Sequence, residues 1–378
     1  MQLAEQGKLR LDAPVSKYLD AIPPEWQGIT IRNLLSHSSG IKDDYAEEFH
    51  GSMLVDYKPE HLLQFARSQP LEFKPAERFA YNNLGYFLLT LIVERAAGLS
   101  YPRYLEDHIF APLGMTSSSC PPLEAIVPNL ASNYTIKNGE LVIFRDYLVS
   151  QAGNSYCMNS SVTDLAKFEI ALESGKVLKR ESMTEMWTPY RLVDGTTGPV
   201  ALGWWEGLRR ASKFVAKGGR AGANYVRYPD RKLTVIILAN LDGDAGVRYQ
   251  ELTNEIAGKY DPDLALPQSL PIDPDPERTR RIRTALTELV GGRVDTKEIS
   301  SRLLAVFPAQ VWQDVLGTQI RELRAFSYVS CEKVKEPWES FGVAVDSNCY
   351  YRIEFGNEMQ TVRFELAKDG MIASIDTN

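Results

Sequence analysis

The sequence predicts an α+β protein: an antiparallel sheet flanked by helices, joined to a largely helical region, with a small second α+β domain at the C-terminal end. Three observations predict it. Apolar residues recur with helical spacing through much of the first 200 residues, short β-rich runs crowd residues 202–240, and a proline-rich stretch then separates these from a tail of alternating strand sequence.

In chain order, Met1 to Leu9 opens with good helix formers and closes at Gly7, a helix of under two turns. A helix so short is marginal, and no N-cap residue stands ahead of it, so its beginning is expected upstream of Met1. Helical spacing follows at Ile31 to Leu35, His61 to Arg67 and Asn83 to Ala97, the last closing at Gly98. Ser161-Val162-Thr163-Asp164 opens a later helix as a capping box. Leu202 to Glu206, Lys213 to Ala216, Asn224 to Tyr228 and Leu233 to Asn240 read as adjacent antiparallel strands, with Pro229-Asp230-Arg231 turning between the last two. A helix from about Gly246 to Tyr260 packs on that sheet.

Pro262, Pro267, Pro271, Pro274 and Pro276 resist both helix and central strand, so residues 261–277 form a linker between a domain at 1–260 and another at 278–378. Beyond it, Ile282, Ala285, Leu286, Leu289 and Val290 share one helical face closed by Gly291, and Ile299 to Phe307 and Val311 to Leu316 predict further helices. Strands are expected at Arg324 to Glu332, Phe341 to Val345, Tyr350 to Phe355, Thr361 to Leu366 and Met371 to Ile375, with Asp369-Gly370 turning into the last.

Bulk properties exclude several function classes. A 44% hydrophobic chain of 378 residues has ample core, and 49 acidic residues spread among 42 basic ones leave no basic face for nucleic acid. No apolar run reaches the roughly 18 residues of a membrane span, and no secretory leader is visible. Cys120, Cys157, Cys331 and Cys349 match no metal-ligand spacing and read as free thiols, and no His or Cys cluster suggests a metal or other cofactor. Arg278, Arg280, Arg281 and Arg283 read as a solvated helix face, and Trp204 and Trp205 mainly as core.

The chemistry sits in dispersed strings. Tyr81-Asn82-Asn83 opens a helix and places a phenol and an amide two residues apart, able to face one cleft. Leu34-Leu35-Ser36-His37-Ser38-Ser39-Gly40-Ile41 precedes it, with His37 read as a loop-fixing hydrogen-bond donor, and Ile109-Phe110-Ala111-Pro112-Leu113-Gly114-Met115 follows. Lys217-Gly218-Gly219 lies at the edge of the strand region, where its glycines leave backbone open to a ligand.

Together with Met1-Gln2-Leu3-Ala4-Glu5-Gln6-Gly7-Lys8-Leu9, these strings resemble the class C β-lactamase-like serine hydrolases over residues 1 to about 260. That family includes β-lactamases, D,D-peptidases and esterases. The resemblance implies a β-lactamase/transpeptidase-like fold, an acyl-enzyme mechanism, and a small-molecule or peptide substrate. It also implies a periplasmic or extracellular location if a leader exists. Tyr81 would exchange the proton of the nucleophile and leaving group, Asn83 would donate an amide hydrogen bond, and Lys217 would receive an anionic substrate or orient Tyr81. Gly218, Gly219 and the backbone N–H of Arg220 would line the oxyanion and substrate side.

The family's Ser-x-x-Lys nucleophile belongs on the first turn of a buried helix, with the opening residues of this chain matching the end of that helix. Ser39 to Lys42 and Ser330 to Lys333 share the spacing, but Gly40 opposes a helix in the first and strand sequence surrounds the second. The resemblance thus implies a chain shortened before its nucleophile, without the strands that an N-terminal segment adds to the sheet holding Leu233 to Asn240. The rival is a non-catalytic relative that binds a ligand or partner through the same cleft. In-frame codons before Met1 discriminate: Ser-x-x-Lys about ten to twenty codons upstream is expected, and a stop codon or unrelated residues there removes the first reading.

Overall fold

The computed structural model describes residues 1–43, 59–122, 125–143, 157–219, 222–241, 248–295, 297–313, 323–355 and 358–377. The helices are α1 Gln2–Glu5, α2 Ile31–Leu35, α3 Pro59–Ser68, α4 Asn83–Ala97, α5 Tyr101–Leu105, α6 Ala111–Leu113, α7 Val162–Glu173, α8 Arg180–Met186, α9 Tyr249–Tyr260, α10 Pro276–Val290 and α11 Ser301–Val306. The strands are β1 Tyr134–Lys137, β2 Glu140–Ile143, β3 Trp205–Arg209, β4 Ser212–Gly219, β5 Ala223–Tyr228, β6 Leu233–Ile237, β7 Leu323–Lys333, β8 Glu339–Ser340, β9 Val343–Ala344, β10 Ser347–Phe355, β11 Glu358–Leu366 and β12 Ile372–Thr377.

The helical region packs around α4, which buries Leu84, Phe87, Leu88 and Ile92 against Trp26, Ile31 and Leu34. Asn82 caps it, its side-chain oxygen accepting from the Gly85 N–H at 2.6 Å, and Gly98 ends it in the left-handed conformation at φ 70°. The loop ahead of α4 is shaped by Gly40 at φ +80°, where a Cβ would collide with the Phe73 carbonyl oxygen. Only glycine meets both demands.

The first sheet runs β3-β4-β5-β6, antiparallel throughout. Period-two alternation sends Phe214, Ala216, Val226, Tyr228 and Val235 to one face, where Ala257 of α9 and Leu264 complete a core. The opposite face carries Lys217, Tyr225 and Arg227 toward α7, where Tyr225 donates to Glu169 and Arg227 pairs with Glu169 and Glu173. The second sheet is ordered β12-β11-β10-β7, with Ile282, Ala285, Leu286 and Leu289 of α10 packed against Tyr351, Ile353 and Phe364. The tip of the β3–β4 hairpin docks on it: Arg210 N–H donates to the Tyr350 hydroxyl at 2.8 Å, and its guanidinium meets Glu332 at 2.6 Å.

Several expectations change. The strand expected at Leu202 to Glu206 starts later, because residues 201–204 close a tight turn through Gly203 at φ 87°. The hairpin β1–β2 was not foreseen, although Asn138-Gly139, both at positive φ, is a two-residue hairpin turn signal. Phe341 and Gly342, at φ 50° and 72°, turn where a strand was expected, leaving only the short β8–β9 pair.

The four cysteines are not free thiols: Cys120 bonds Cys157, and Cys331 bonds Cys349. The first pair is brought together by the bridge between Ser119 and Asn159, the second by directly opposed positions on β7 and β10. Neither proximity is visible in sequence spacing. Arg278 also leaves the solvated face expected for it, donating to Cys331 Sγ at 3.0 Å and to Asp275.

Gly40→Ala is expected to lower stability by about 3 kcal/mol or more, since it adds a backbone collision to left-handed strain. Gly114→Ala, at φ +66° with open space around it, should cost only about 1–2 kcal/mol. Urea titration of both variants checks the difference, and equal losses would dismiss the Phe73 clash.

Candidate active site

The site is assembled where the loop Ser36 to Ile41 meets the start of α4 and the end of β4. His37 organises it. Its backbone sits at φ 53°, a conformation in which histidine is enriched among non-glycine residues, and only 2% of it is exposed. Its Nδ1 accepts the Asn82 backbone N–H at 3.0 Å, so the ring proton resides on Nε2. His37 is therefore a loop-fixing acceptor at this nitrogen, rather than the donor expected from sequence.

The imidazole stacks against two phenols, with ring centroids 4.5 Å from Tyr81 and 4.8 Å from Tyr86. Tyr86 anchors its hydroxyl on the Leu35 carbonyl at 2.9 Å, and Lys217 Nζ lies 5.6 Å from the Tyr86 ring centroid. Tyr81, His37, Tyr86 and Lys217 thus form one continuous cluster, although 136 positions separate Tyr81 from Lys217 (217 − 81). Tyr81 is 47% exposed and is the member open to solvent.

Electrostatics follow from burial. Desolvation, then the Lys217 charge, pushes the His37 pKa from its ordinary 6.5 down to about 3, against the opposing Asn82 hydrogen bond. Desolvation also lowers the Lys217 ammonium and, with Tyr81 nearby, raises the Tyr86 phenol. Among the described residues no carboxylate pairs with Lys217. A partly buried ammonium with no counter-ion among the described residues, beside an exposed phenol, is able to receive an anionic or polar ligand.

Asn83 is held by a carboxylate. Its side-chain amide and backbone N–H donate to Asp43 at 2.9 and 2.8 Å, and Asp43 also accepts from the Leu84 N–H at 3.0 Å. A carboxylate on the first turn of α4 satisfies its orphan donors and its dipole. Sequence reasoning missed Asp43 and Tyr86. Asp43 carries no motif, and Tyr86 resembles any aromatic on a buried helix.

Gly218 and Gly219 end β4, paired with Asn224 and Ala223 and both exposed. A Cβ on Gly218 would meet only the Ala223 carbonyl at 3.8 Å, whereas on Gly219 it would press the Ala223 side chain at 3.1 Å. Arg220 lies outside the described residues. Trp205 packs edge-on to Phe79 at 5.7 Å beneath the cluster, and Trp204 packs against Trp187 and Tyr225. Neither Ser-x-x-Lys match opens a helix: Ser39 is buried in the loop, and Ser330 lies within β7. Among the described residues no group of His, Cys, Asp or Glu is placed to hold a metal ion.

The family model described as Beta-lactamase matches residues 1–257. The chain belongs to the beta-lactamase family. It is 26% identical over 310 residues to penicillin-binding protein 4* of Bacillus subtilis (strain 168), covering 75% of this chain and 66% of that protein. The chain spans about half to two-thirds of the length of the curated relatives it matches first. Among solved structures, the D-amino acid amidase of Ochrobactrum anthropi SV3 complexed with L-phenylalanine amide superposes with TM-score 0.57 at 23% identity, covering 70% of this chain and 79% of that one. The octameric penicillin-binding protein homologue of Pyrococcus abyssi superposes with TM-score 0.56 at 23% identity, covering 98% of this chain and 82% of that one. Likeness of fold therefore extends past residue 257, beyond the stretch in which the sequence resemblance was legible. Among the described residues no helix is long and apolar enough to cross a membrane.

His37 makes stability pH-dependent in a stated direction. Its folded-state pKa lies below the ordinary 6.5, so its contribution is complete above that pH and is lost as pH falls toward 3, at roughly 1.4 kcal/mol per unit. His37→Asn keeps a residue tolerant of positive φ and an acceptor for Asn82. Between pH 7 and 5 the variant should lose about 2 kcal/mol less than the parent in urea melts. Identical pH dependence in the two proteins would show that His37 is not the titrating group.

Proposed function

We propose that Tyr81, Asn83 and Lys217 form the ligand-facing half of an acyl-transfer site of the serine hydrolase type, acting on an ester, amide or β-lactam. The observation that carries this reading is Lys217, unpaired among the described residues, beside the aromatic cluster that ends in the exposed Tyr81. Lys217 receives an anionic group of the substrate, and Tyr81 exchanges a proton with the nucleophile and leaving group. Asn83, oriented by Asp43, is the amide proposed to face the ligand or a catalytic lysine. Gly218, Gly219 and Arg220 supply the backbone edge along which substrate lies, with the Arg220 N–H as an oxyanion donor.

The nucleophile in this reading is a Ser-x-x-Lys turn at a helix N-terminus, which the 378 residues do not contain in helical sequence. The chain by itself is then proposed to bind substrate without forming an acyl-enzyme. The same fact favours a second reading, a non-catalytic relative that captures a ligand or partner in this cleft. In either case residues 1–260 form the domain that holds the site, 261–277 link it, and 278–378 form an accessory domain. Two disulfides fit an oxidising, periplasmic or extracellular setting.

Penicillin and fluorophosphonate probes should leave the purified chain unlabelled by intact-mass spectrometry. Stoichiometric labelling at any serine sinks the nucleophile-free reading, and labelling at Ser39 moves the nucleophile there. Equilibrium dialysis should show saturable, non-covalent benzylpenicillin binding weakened about 10- to 100-fold by Lys217→Met, the loss of one charge-assisted hydrogen bond. Unchanged binding in that variant removes Lys217 from the site.

A further inference from the structure

One buried cation takes no part in the proposed chemistry. Arg209 ends β3, is 5% exposed, and donates Nε to the Leu264 carbonyl at 3.2 Å. Its guanidinium carbon lies 5.5 Å from the ring centroid of Tyr350, on the second sheet. Among the described residues its two terminal nitrogens meet no hydrogen-bond acceptor and no ion-pair partner. Arginine has five donors and remains charged in proteins, and the terminal nitrogens of Arg209 open onto the cleft instead of the closed core, where a ligand can accept from them. Desolvation lowers its pKa, with Tyr350, Tyr228 and Glu251 opposing that shift and Arg363 adding to it.

Arg209 faces a cleft of about 250 Å³ between α9, the segment 265–268 and the strand pair β10–β11. Charged side chains lining it are Arg209, Lys259, Arg352, Glu251 and Glu255. Three cations face two carboxylates, and one of those, Glu251, is already engaged by Arg248 at 3.5 Å and by Thr361. Arg352 follows Tyr350 by two positions on β10 and so shares its face of the strand. Guanidinium forks bind planar or tetrahedral oxyanions through paired N–H donors, and Lys259 adds a point charge at the rim.

We propose that this cleft is a binding site for a small oxyanion, a carboxylate or a phosphate, held by Arg209 and Arg352, whose occupancy fastens α9 and the proline-rich segment to the second sheet. The site is independent of the acyl-transfer reading, because it draws on none of the residues of that site. An anion that binds only the folded chain raises its stability as the logarithm of its concentration above Kd, whereas general salt effects do not bend at a Kd and do not depend on one arginine.

The full chain can be followed by thermal unfolding while sodium phosphate, or in a parallel arm sodium citrate, replaces sodium chloride at constant ionic strength. A rise in Tm that turns logarithmic in anion concentration is expected in either arm, and the arm with the lower fitted Kd assigns phosphate or carboxylate. Arg352→Gln, a lining residue outside the tightest core, should raise the fitted Kd at least tenfold, as should Arg209→Gln if that variant folds. Lys217→Met should keep the full shift. No anion-specific rise in Tm in either arm, an undiminished response in Arg352→Gln, or loss of the response in Lys217→Met would each overturn the assignment, the last by moving the anion to the other site.

Discussion

The site depends on one imidazole being neutral and immobile. His37 occupies a left-handed backbone position inside the protein, and its only charge state compatible with burial leaves Nδ1 free to accept the Asn82 N–H. That bond ties the loop carrying His37 to the first turn of α4, where Asn82 caps the helix and Asp43 gathers the remaining donors. The same loop is pinned by a buried polar network in which Asn33 donates to Ser38 at 3.2 Å and Ser36 meets Ser38 at 2.8 Å. Such networks are costly when half-satisfied, so they select a single loop arrangement more than they add to stability. Tyr81 and Tyr86 stack on the ring that this arrangement holds still.

Lys217 reaches the Tyr86 ring because β4 is registered on both sides. Its partner across the sheet, Tyr225, donates to Glu169 on α7, while Arg227 on the same face is enclosed by Glu169, Glu173 and, at 4.9 Å, the Trp187 ring. Buried ion pairs of this kind give little net stability against a well-packed apolar core, yet breaking one partner is expensive. A one-residue slip of β4 would send Lys217 to the α9 face and Ala216 toward the site. The first sheet is braced from its far end as well, where Arg363 donates to the Leu208 carbonyl and pairs with Asp376 at 2.7 Å.

Much of the fold was legible because local chemistry and tertiary demand agree. The limits of α4 follow from Asn82 and Gly98, those of β5 from alternation and the Pro229 turn, and the face of α10 from its apolar spacing. Where reading and structure part, a non-local contact or an unusual backbone angle intervenes. Gly203 delays β3, Phe341 and Gly342 interrupt the tail, and Arg278 turns inward to a disulfide whose two halves lie 18 positions apart. Asp164 shows a mixed case. Ser161 caps α7 as its spacing suggests, but the acidic half of the motif turns instead to Ser117 and Lys167.

By itself the sequence determined the family, the order of most elements, and the identity of the groups that can bear charge or exchange protons, because these reside in residue type and short-range spacing. Tertiary structure alone decided which of those groups meet. It paired the cysteines, turned His37 from donor to acceptor, placed Tyr86 between His37 and Lys217, engaged Asn83 with Asp43, and buried Arg209 with no acceptor among the described residues on its terminal nitrogens. The physical reason is common to all of these. Burial and through-space contact are properties of segments far apart in the chain, and no local pattern of residues encodes the partner that folding brings to the other side.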